Sequence, residues 1–355
     1  MLKIGVIHDE AYDYLLDGND QSGYFLYKIL KKIKFDVDLV SFYKKRKFFN
    51  EETKNISYSD INKYDLFIDI SKNLDDEIIK LILLNGKKII SNIHDNLLLK
   101  LKESLINNSL NEKFNFSFIK NSSNSCFISD NYSNISDAIE IITRSKVYKI
   151  PFLWDPDFCL SIVKDFNSLN LNKEDLNKIG IFESNQSFYK NSIIPMSICE
   201  GLERLDSSII KFIFIANIED KMNVRMFNHY YNNLLLKKNN KLFPYHRSGL
   251  SYLISKNAIN TVVSTQIMEG YSYTYNETLY LNRPLIHNSN LYKNVGFFYK
   301  DFEVKKASKI LLNAIKNFDI NENKEKNIEF LNKFSTDNIE NQTKIKNIIL
   351  EEIKK

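Results

Sequence analysis

Short apolar runs rich in β-branched residues recur along the chain, separated by stretches whose apolar positions fall at helical spacing. Residues 2–8, 36–42, 64–70, 87–91 and 125–129 are the first such runs, each with the length and residue types of a central parallel strand. A polar loop over residues 17–23, containing Gly18 and Gly23, leads from the first run into a helix over 24–33. Strands alternating with helices in this way predict an α/β protein built on a doubly wound parallel sheet. In such a sheet ligands bind beyond the carboxyl ends of the strands, which here carry His8, His94, Asp95 and Asp130.

Residues 146–157 end this series. Pro151, Pro156 and Trp154 fall within them, which predicts a crossing segment rather than an inner strand. A second series then begins, and its opening Lys178-Ile-Gly-Ile-Phe182 repeats Lys3-Ile-Gly-Val-Ile7. Runs at 209–216, 241–243, 261–263, 284–286 and 296–299 continue it, and the apolar positions among the charges of 327–355 predict amphipathic helices. The expected division is a first α/β domain over 1–155, a second over 156–326, and C-terminal helices over 327–355. A chain of 355 residues is of a size for two domains, and its 20 Tyr and 25 Phe give ample material for two cores.

Charge and cysteine content narrow the function. A net charge of +5 is too mild to indicate nucleic acid. Its one basic cluster, Lys44, Lys45, Arg46 and Lys47, is flanked by aromatic residues and reads either as a solvated loop or as a peripheral contact to an anionic membrane or acidic glycan. Three widely spaced cysteines, Cys126, Cys159 and Cys199, match no metal pattern and are odd in number, so a reducing compartment is expected. No apolar run approaches membrane-spanning length and none forms a leader, which predicts a cytoplasmic protein, with the basic cluster as its route to the inner membrane surface. The glycine spacings of dinucleotide sites and phosphate-binding P-loops are both absent. Asp155-Pro-Asp157 and Asp36-Val-Asp38 each fit a D-x-D metal pattern, and two unrelated matches argue against a metal role for either.

The most informative stretch is Glu269-Gly-Tyr-Ser-Tyr-Thr-Tyr-Asn-Glu277, between the run at 261–263 and Pro284-Leu-Ile286. It reads as a strand-to-helix turn with an acidic residue at each end. The first N–H groups of a helix are unpaired and its dipole is positive there, so such a turn suits an anion. Gly270 would let the backbone come close to a phosphate. Glu277 could reach a ribose diol by paired hydrogen bonds, and Tyr271, Tyr273 and Tyr275 could wall the site or simply pack.

Two glutamates with seven residues between them, followed by a Pro-Leu-Ile strand, resemble the E-x7-E segment of retaining GT-B glycosyltransferases. Tyr275-x-Glu277-x-Leu279-Tyr280 running into Pro284-Leu-Ile-His-Asn-Ser289 also resembles a poorly characterised GT-B-like family of phage, viral and bacterial proteins. The resemblance implies two Rossmann-like domains facing a cleft, the first for the acceptor and the second for a nucleoside-diphosphate sugar, with the last helix crossing back to the first domain. It implies a metal-independent, retaining transferase without a cofactor that moves the sugar to a glycan, lipid-linked or protein acceptor. In that picture Glu269 holds the donor sugar and Lys190 grips the diphosphate, these two carrying the chemistry.

The related transferases also have an Arg in the Lys190 loop. Asn185 stands near its place here, and Arg247 is the candidate to compensate. By the same resemblance Gly18 and Gly23 form a glycine loop that reaches the donor phosphates or the acceptor. His94 and His287 each follow a strand, and His94 is expected at the cleft on the acceptor side, where it could hydrogen-bond the donor sugar, and His287 at the donor. A nucleotide-sugar epimerase on paired α/β domains and a non-catalytic nucleotide- or sugar-binding protein are the rival readings, the second kept open by the missing Arg.

Overall fold

The computed structural model describes residues 2–8, 18–43, 47–48, 50–70, 74–107, 123–163, 171–268 and 270–354. The chain divides into two compact units, one formed by Met1–Asp155 with Lys333–Lys355 and the other by Pro156–Asn332.

In the first unit the elements run β1 (Lys3–Ile7), α1 (Gly18–Lys32), β2 (Asp36–Ser41), β3 (Lys47–Phe48), β4 (Glu51–Glu52), β5 (Lys54–Asn55), β6 (Leu66–Ile70), α2 (Asp76–Leu84), β7 (Lys88–Ile93), α3 (Leu97–Asn107), β8 (Ser125–Ser129), α4 (Ser136–Thr143) and β9 (Lys146–Ile150). Seven of these strands form one parallel sheet in the order β5-β2-β1-β6-β7-β8-β9. Strand order reverses direction between β1 and β6, the feature that defines a doubly wound sheet.

The second unit runs α5 (Asp157–Ile162), β10 (Lys178–Ile181), α6 (Ile193–Leu205), β11 (Phe212–Ile215), α7 (Arg225–Asn233), α8 (Leu235–Lys238), β12 (Leu242–Pro244), α9 (Leu250–Ser255), β13 (Thr261–Val263), α10 (Tyr273–Tyr280), β14 (Leu285–His287), β15 (Phe297–Phe298), α11 (Val304–Asn317) and α12 (Ile320–Asn332). Its parallel sheet has the order β12-β11-β10-β13-β14-β15, with the reversal between β10 and β13. The repeated Lys-Ile-Gly opening thus falls on β1 and β10, the strand beside the reversal in each unit. The glycine has a steric cause in both. A Cβ at Gly5 would lie 2.9 Å from the Phe67 ring, and one at Gly180 would lie 2.6 Å from Phe182 and 2.7 Å from Ile259.

The last helix, α13 (Ile339–Lys354), belongs to the first unit, whereas α12 stays with the second. It buries Ile345 and Ile349, and Tyr148 on β9 donates to Glu352 Oε2 at 3.1 Å.

Several expectations need correction. Residues 18–23 are the first turn and a half of α1 rather than a loop. Gly18 opens the helix. Gly23 is buried against Ile70, whose side chain would stand 3.1 Å from an added Cβ, so its smallness serves helix-on-sheet packing. Residues 146–150 are the edge strand of the first sheet, and only those after Ile150 leave it. Of the basic cluster, Lys44, Lys45 and Arg46 lie outside the described residues, and Lys47 sits on the β3–β4 hairpin opposite Glu52. No helix among the described residues is long and apolar enough to cross a membrane. All three cysteines are buried and free.

One aspartate of each D-x-D match is engaged by neighbouring side chains. Asp38 pairs with Lys3 and Lys54 and accepts from Tyr64. Asp155 pairs with Lys28 at 2.8 Å and accepts from Ser335 and Thr336. Among the described residues no three His, Cys, Asp or Glu side chains cluster as metal ligands would.

Candidate functional site

The reversal between β10 and β13 puts two loops side by side at the carboxyl end of the second sheet, where doubly wound sheets place their ligands. One loop, residues 182–192, leaves β10 and enters α6. The other, residues 264–272, leaves β13 and enters α10. They are joined directly, because Ile267 N–H donates to the Tyr189 carbonyl at 3.2 Å. Lys190 is the next residue after Tyr189. The loop that carries Lys190 and the loop that leads to Glu277 are therefore joined at one end of one sheet.

The first loop is shaped by Asn185. Its backbone is left-handed, with φ 54°, a conformation that Asn tolerates better than most side chains. Its Nδ2 faces three acceptors, the Glu183 carbonyl at 3.1 Å, Ser192 Oγ at 2.9 Å and the Ala216 carbonyl at 3.2 Å. Its Oδ1 accepts from Ser192 N–H at 2.8 Å. Asn185 fastens its own loop to the start of α6 and the end of β11. Asn185, expected at the donor because it stands near the place of the missing Arg, spends its side chain on that internal role.

The second loop is tethered along most of its length. Gln266 exchanges two backbone hydrogen bonds with the Asn288 side chain, at 2.8 and 2.9 Å. Ser289 Oγ donates to the Gly270 carbonyl at 2.8 Å. Ser264 and Thr265 both donate to Oε1 of Glu183, the Thr265 amide at 3.2 Å. Tyr275 O–H donates to Ser264 Oγ at 2.9 Å, and Tyr299 O–H donates to the Ser264 carbonyl at 3.0 Å. Burial raises the Glu183 carboxyl to about 7, opposed in part by Ser264, Thr265 and the charge of Lys190. Sequence reasoning missed Glu183. The signal available was a carboxylate two residues past a central strand.

Glu277 occupies the fifth position of α10, little more than one turn in. Its Oε2 accepts from Ser251 Oγ at 3.1 Å, at the start of α9, and Ser251 Oγ also lies 3.3 Å from Cys159 Sγ. Burial lifts the Glu277 carboxyl to about 7, and burial together with the Glu277 charge pushes the Cys159 thiol up. Arg247 lies exposed in the turn from β12 to α9, four residues before Ser251. Gly270, Tyr271 and Tyr273 are half-buried in the turn, whereas Tyr275 is fully buried. Glu269 lies outside the described residues.

His287 needs correction. It is fully buried, with Nε2 2.9 Å from the Val295 carbonyl and rings of Tyr275, Tyr292 and Phe298 around it. Burial lowers its pKa to about 4, so at neutral pH it is an uncharged core residue that presents no face to a donor. In the first unit His94 follows β7 and stacks on Phe152, while His8 Nε2 lies 3.1 Å from Asp20 Oδ1 at the end of β1.

Two doubly wound domains of this order define the GT-B fold. The chain is similar over nearly its whole length to solved GT-B structures. HepE of Anabaena, solved with UDP-glucose, is 12% identical with a TM-score of 0.61, over 99% of this chain and 100% of that one. A glycosyltransferase of Rickettsia africae is 15% identical with a TM-score of 0.57, over 100% and 99%. Sucrose-phosphate synthase of Thermosynechococcus elongatus is 9% identical with a TM-score of 0.57, over 99% of each. No curated protein matches the sequence. The chain belongs to the family described as "Protein of unknown function (DUF2827)", whose model matches residues 6–349.

Proposed function

We propose that the protein is a glycosyltransferase that takes a sugar from a nucleoside-diphosphate donor held on the second unit. The observation that carries this reading is the junction of the Lys190 loop with the β13–α10 turn at the strand reversal, through Ile267 and Tyr189. It joins the loop that carries Lys190 to the turn that leads into α10, and a cation beside a helix start is a combination that suits a diphosphate. HepE was solved with UDP-glucose, and this supports a UDP-sugar as the first donor to test.

In the reaction, the bond from the sugar's anomeric carbon to the β-phosphate oxygen breaks and its electron pair stays with the phosphate. The acceptor hydroxyl oxygen forms the new bond to that carbon, and its proton passes to the departing phosphate oxygen. Charge growing on the leaving diphosphate is the main electrostatic demand. Lys190 answers it, with Arg247 as the second cation and no metal required. Glu277 takes the ribose and Glu269 the donor sugar, and transfer proceeds with retention to a glycan, lipid-linked or protein acceptor. His94 is the first-unit residue assigned to the acceptor side.

The test is incubation with UDP-, GDP-, ADP- and dTDP-sugars, following nucleotide release and the anomeric configuration of the product by NMR. Release of one nucleoside diphosphate, abolished by Lys190→Ala in a folded protein, is the expected result. Tight nucleotide binding without release for any acceptor would favour a non-catalytic binding protein. That second reading draws on one observation, the engagement of Asn185 in its own loop where the related transferases carry an Arg.

A further inference from the structure

A buried carboxylate at the end of a central strand is costly, because taking the charge out of water is not repaid by one or two hydrogen bonds. Glu183 is such a group, only 5% exposed. Its bonds are distributed in an informative way. Oε1 gathers Ser264 Oγ and the Thr265 amide from the end of β13. Ser264 in turn receives Tyr275 from α10 on its hydroxyl and Tyr299, just past β15, on its carbonyl. Thr265 Oγ1 is also hydrogen-bonded to the Tyr299 hydroxyl. One carboxyl thus ties together the segments that follow β10, β13 and β15 and the first turn of α10.

We propose that Glu183 is a positioning residue for the donor diphosphate: it fixes the β13–α10 turn through Ser264 and Thr265, so that the turn faces Lys190 in the geometry the phosphates need. The proposal rests on the donor-site reading above. Glu183 and Lys190 lie on one loop seven residues apart, so the carboxyl that fixes the turn and the cation that meets the ligand share one rigid support. Oε1 accepts the bonds from both Ser264 and Thr265, and the amide oxygen of glutamine supplies the same acceptor without charge.

Two variants of the full-length protein, Glu183→Gln and Glu183→Ala, test this by two readouts. The first is amide hydrogen exchange over residues 264–268 in the ligand-free protein. Exchange in Glu183→Ala is expected to be at least tenfold faster than in wild type, and in Glu183→Gln within threefold of it. The second is calorimetric affinity for UDP, GDP, ADP or dTDP, whichever binds wild type. Affinity is expected to fall at least tenfold in Glu183→Ala and to be rescued in Glu183→Gln.

Unchanged exchange in a folded Glu183→Ala protein would overturn the proposal, as would unchanged affinity. If wild type binds none of the four nucleotides, the donor reading fails, and the exchange readout still decides whether Glu183 holds the turn. Should Glu183→Ala not fold, Ser264→Ala breaks one of the two links and leaves Glu183 the Thr265 amide. Faster exchange over 264–268 in that variant is then expected, and unchanged exchange contradicts the proposal.

Discussion

The Glu277 carboxylate, one turn into α10, accepts a hydrogen bond from Ser251 Oγ at the start of α9, 3.1 Å away. The glutamate singled out by its spacing from Glu269 is therefore anchored on a neighbouring helix start, four residues past Arg247. A carboxylate held in one place is pre-organised to meet a diol, since less freedom is lost on binding.

Burial at this position has a pH consequence. A glutamate whose folded pKa is about 7 instead of its ordinary 4.5 stabilises the fold fully below pH 4.5, and that contribution is lost as pH rises through 7. The loss is roughly 3 kcal/mol over the interval. His287 acts in the opposite sense, because its folded pKa of about 4 gives stability present above about 6.5 and lost as pH falls toward 4. Comparing wild type with Glu277→Gln removes that background. Between pH 5 and 8, denaturant unfolding is expected to show wild type losing roughly 2–3 kcal/mol relative to the variant. Parallel pH profiles would contradict a buried, titrating Glu277.

Asn185 gives a prediction against simple family analogy. Placing Arg there imposes a left-handed backbone at φ 54° on a residue that disfavours it, at about 1–2 kcal/mol, and removes the bonds to Glu183, Ser192 and Ala216. Asn185→Arg is expected to lower the melting temperature by several degrees and not to tighten nucleotide binding. A tighter nucleotide complex at unchanged stability would show that the loop can be rebuilt around an Arg.

Asp155 is the last residue of the first unit before the chain passes to the second, and it binds Lys28, Ser335 and Thr336 within its own unit. Asp155→Ala removes the Lys28 ion pair and the bonds from Ser335 and Thr336, for a loss of roughly 1–3 kcal/mol. Mn²⁺ is expected to leave the wild-type melting temperature unchanged, because this carboxylate is already engaged. A saturable Mn²⁺ stabilisation that disappears in Asp155→Ala would contradict this and give the D-x-D match a metal role.

The strand pattern was legible because parallel strands buried on both faces read as plain apolar runs. The runs at 125–129 and 261–263 became β8 and β13 over those same residues. What escaped was local backbone choice and long-range pairing. Asn, Asp, Gln and Ser at residues 19–22 resemble a loop, yet they form the start of α1, where the packing of Gly23 on Ile70 fixes the helix. His287 looked like a strand-end ligand because sequence cannot show that Val295 and three aromatic rings enclose it. Glu183 stayed silent for the same reason, its partners Ser264 and Thr265 being some eighty residues away.

The central claim is that the second unit binds a nucleoside-diphosphate sugar through Glu277 and the Lys190 loop. Thermal unfolding with UDP-, GDP-, ADP- and dTDP-sugars in the absence of added metal, for wild type and Glu277→Ala, tests it most directly. A ligand at about a hundred times its dissociation constant adds roughly 2.7 kcal/mol to stability. Stabilisation of wild type by one nucleotide class, lost in Glu277→Ala, is the predicted result. No stabilisation of a well-folded wild-type protein by any of them would contradict the account.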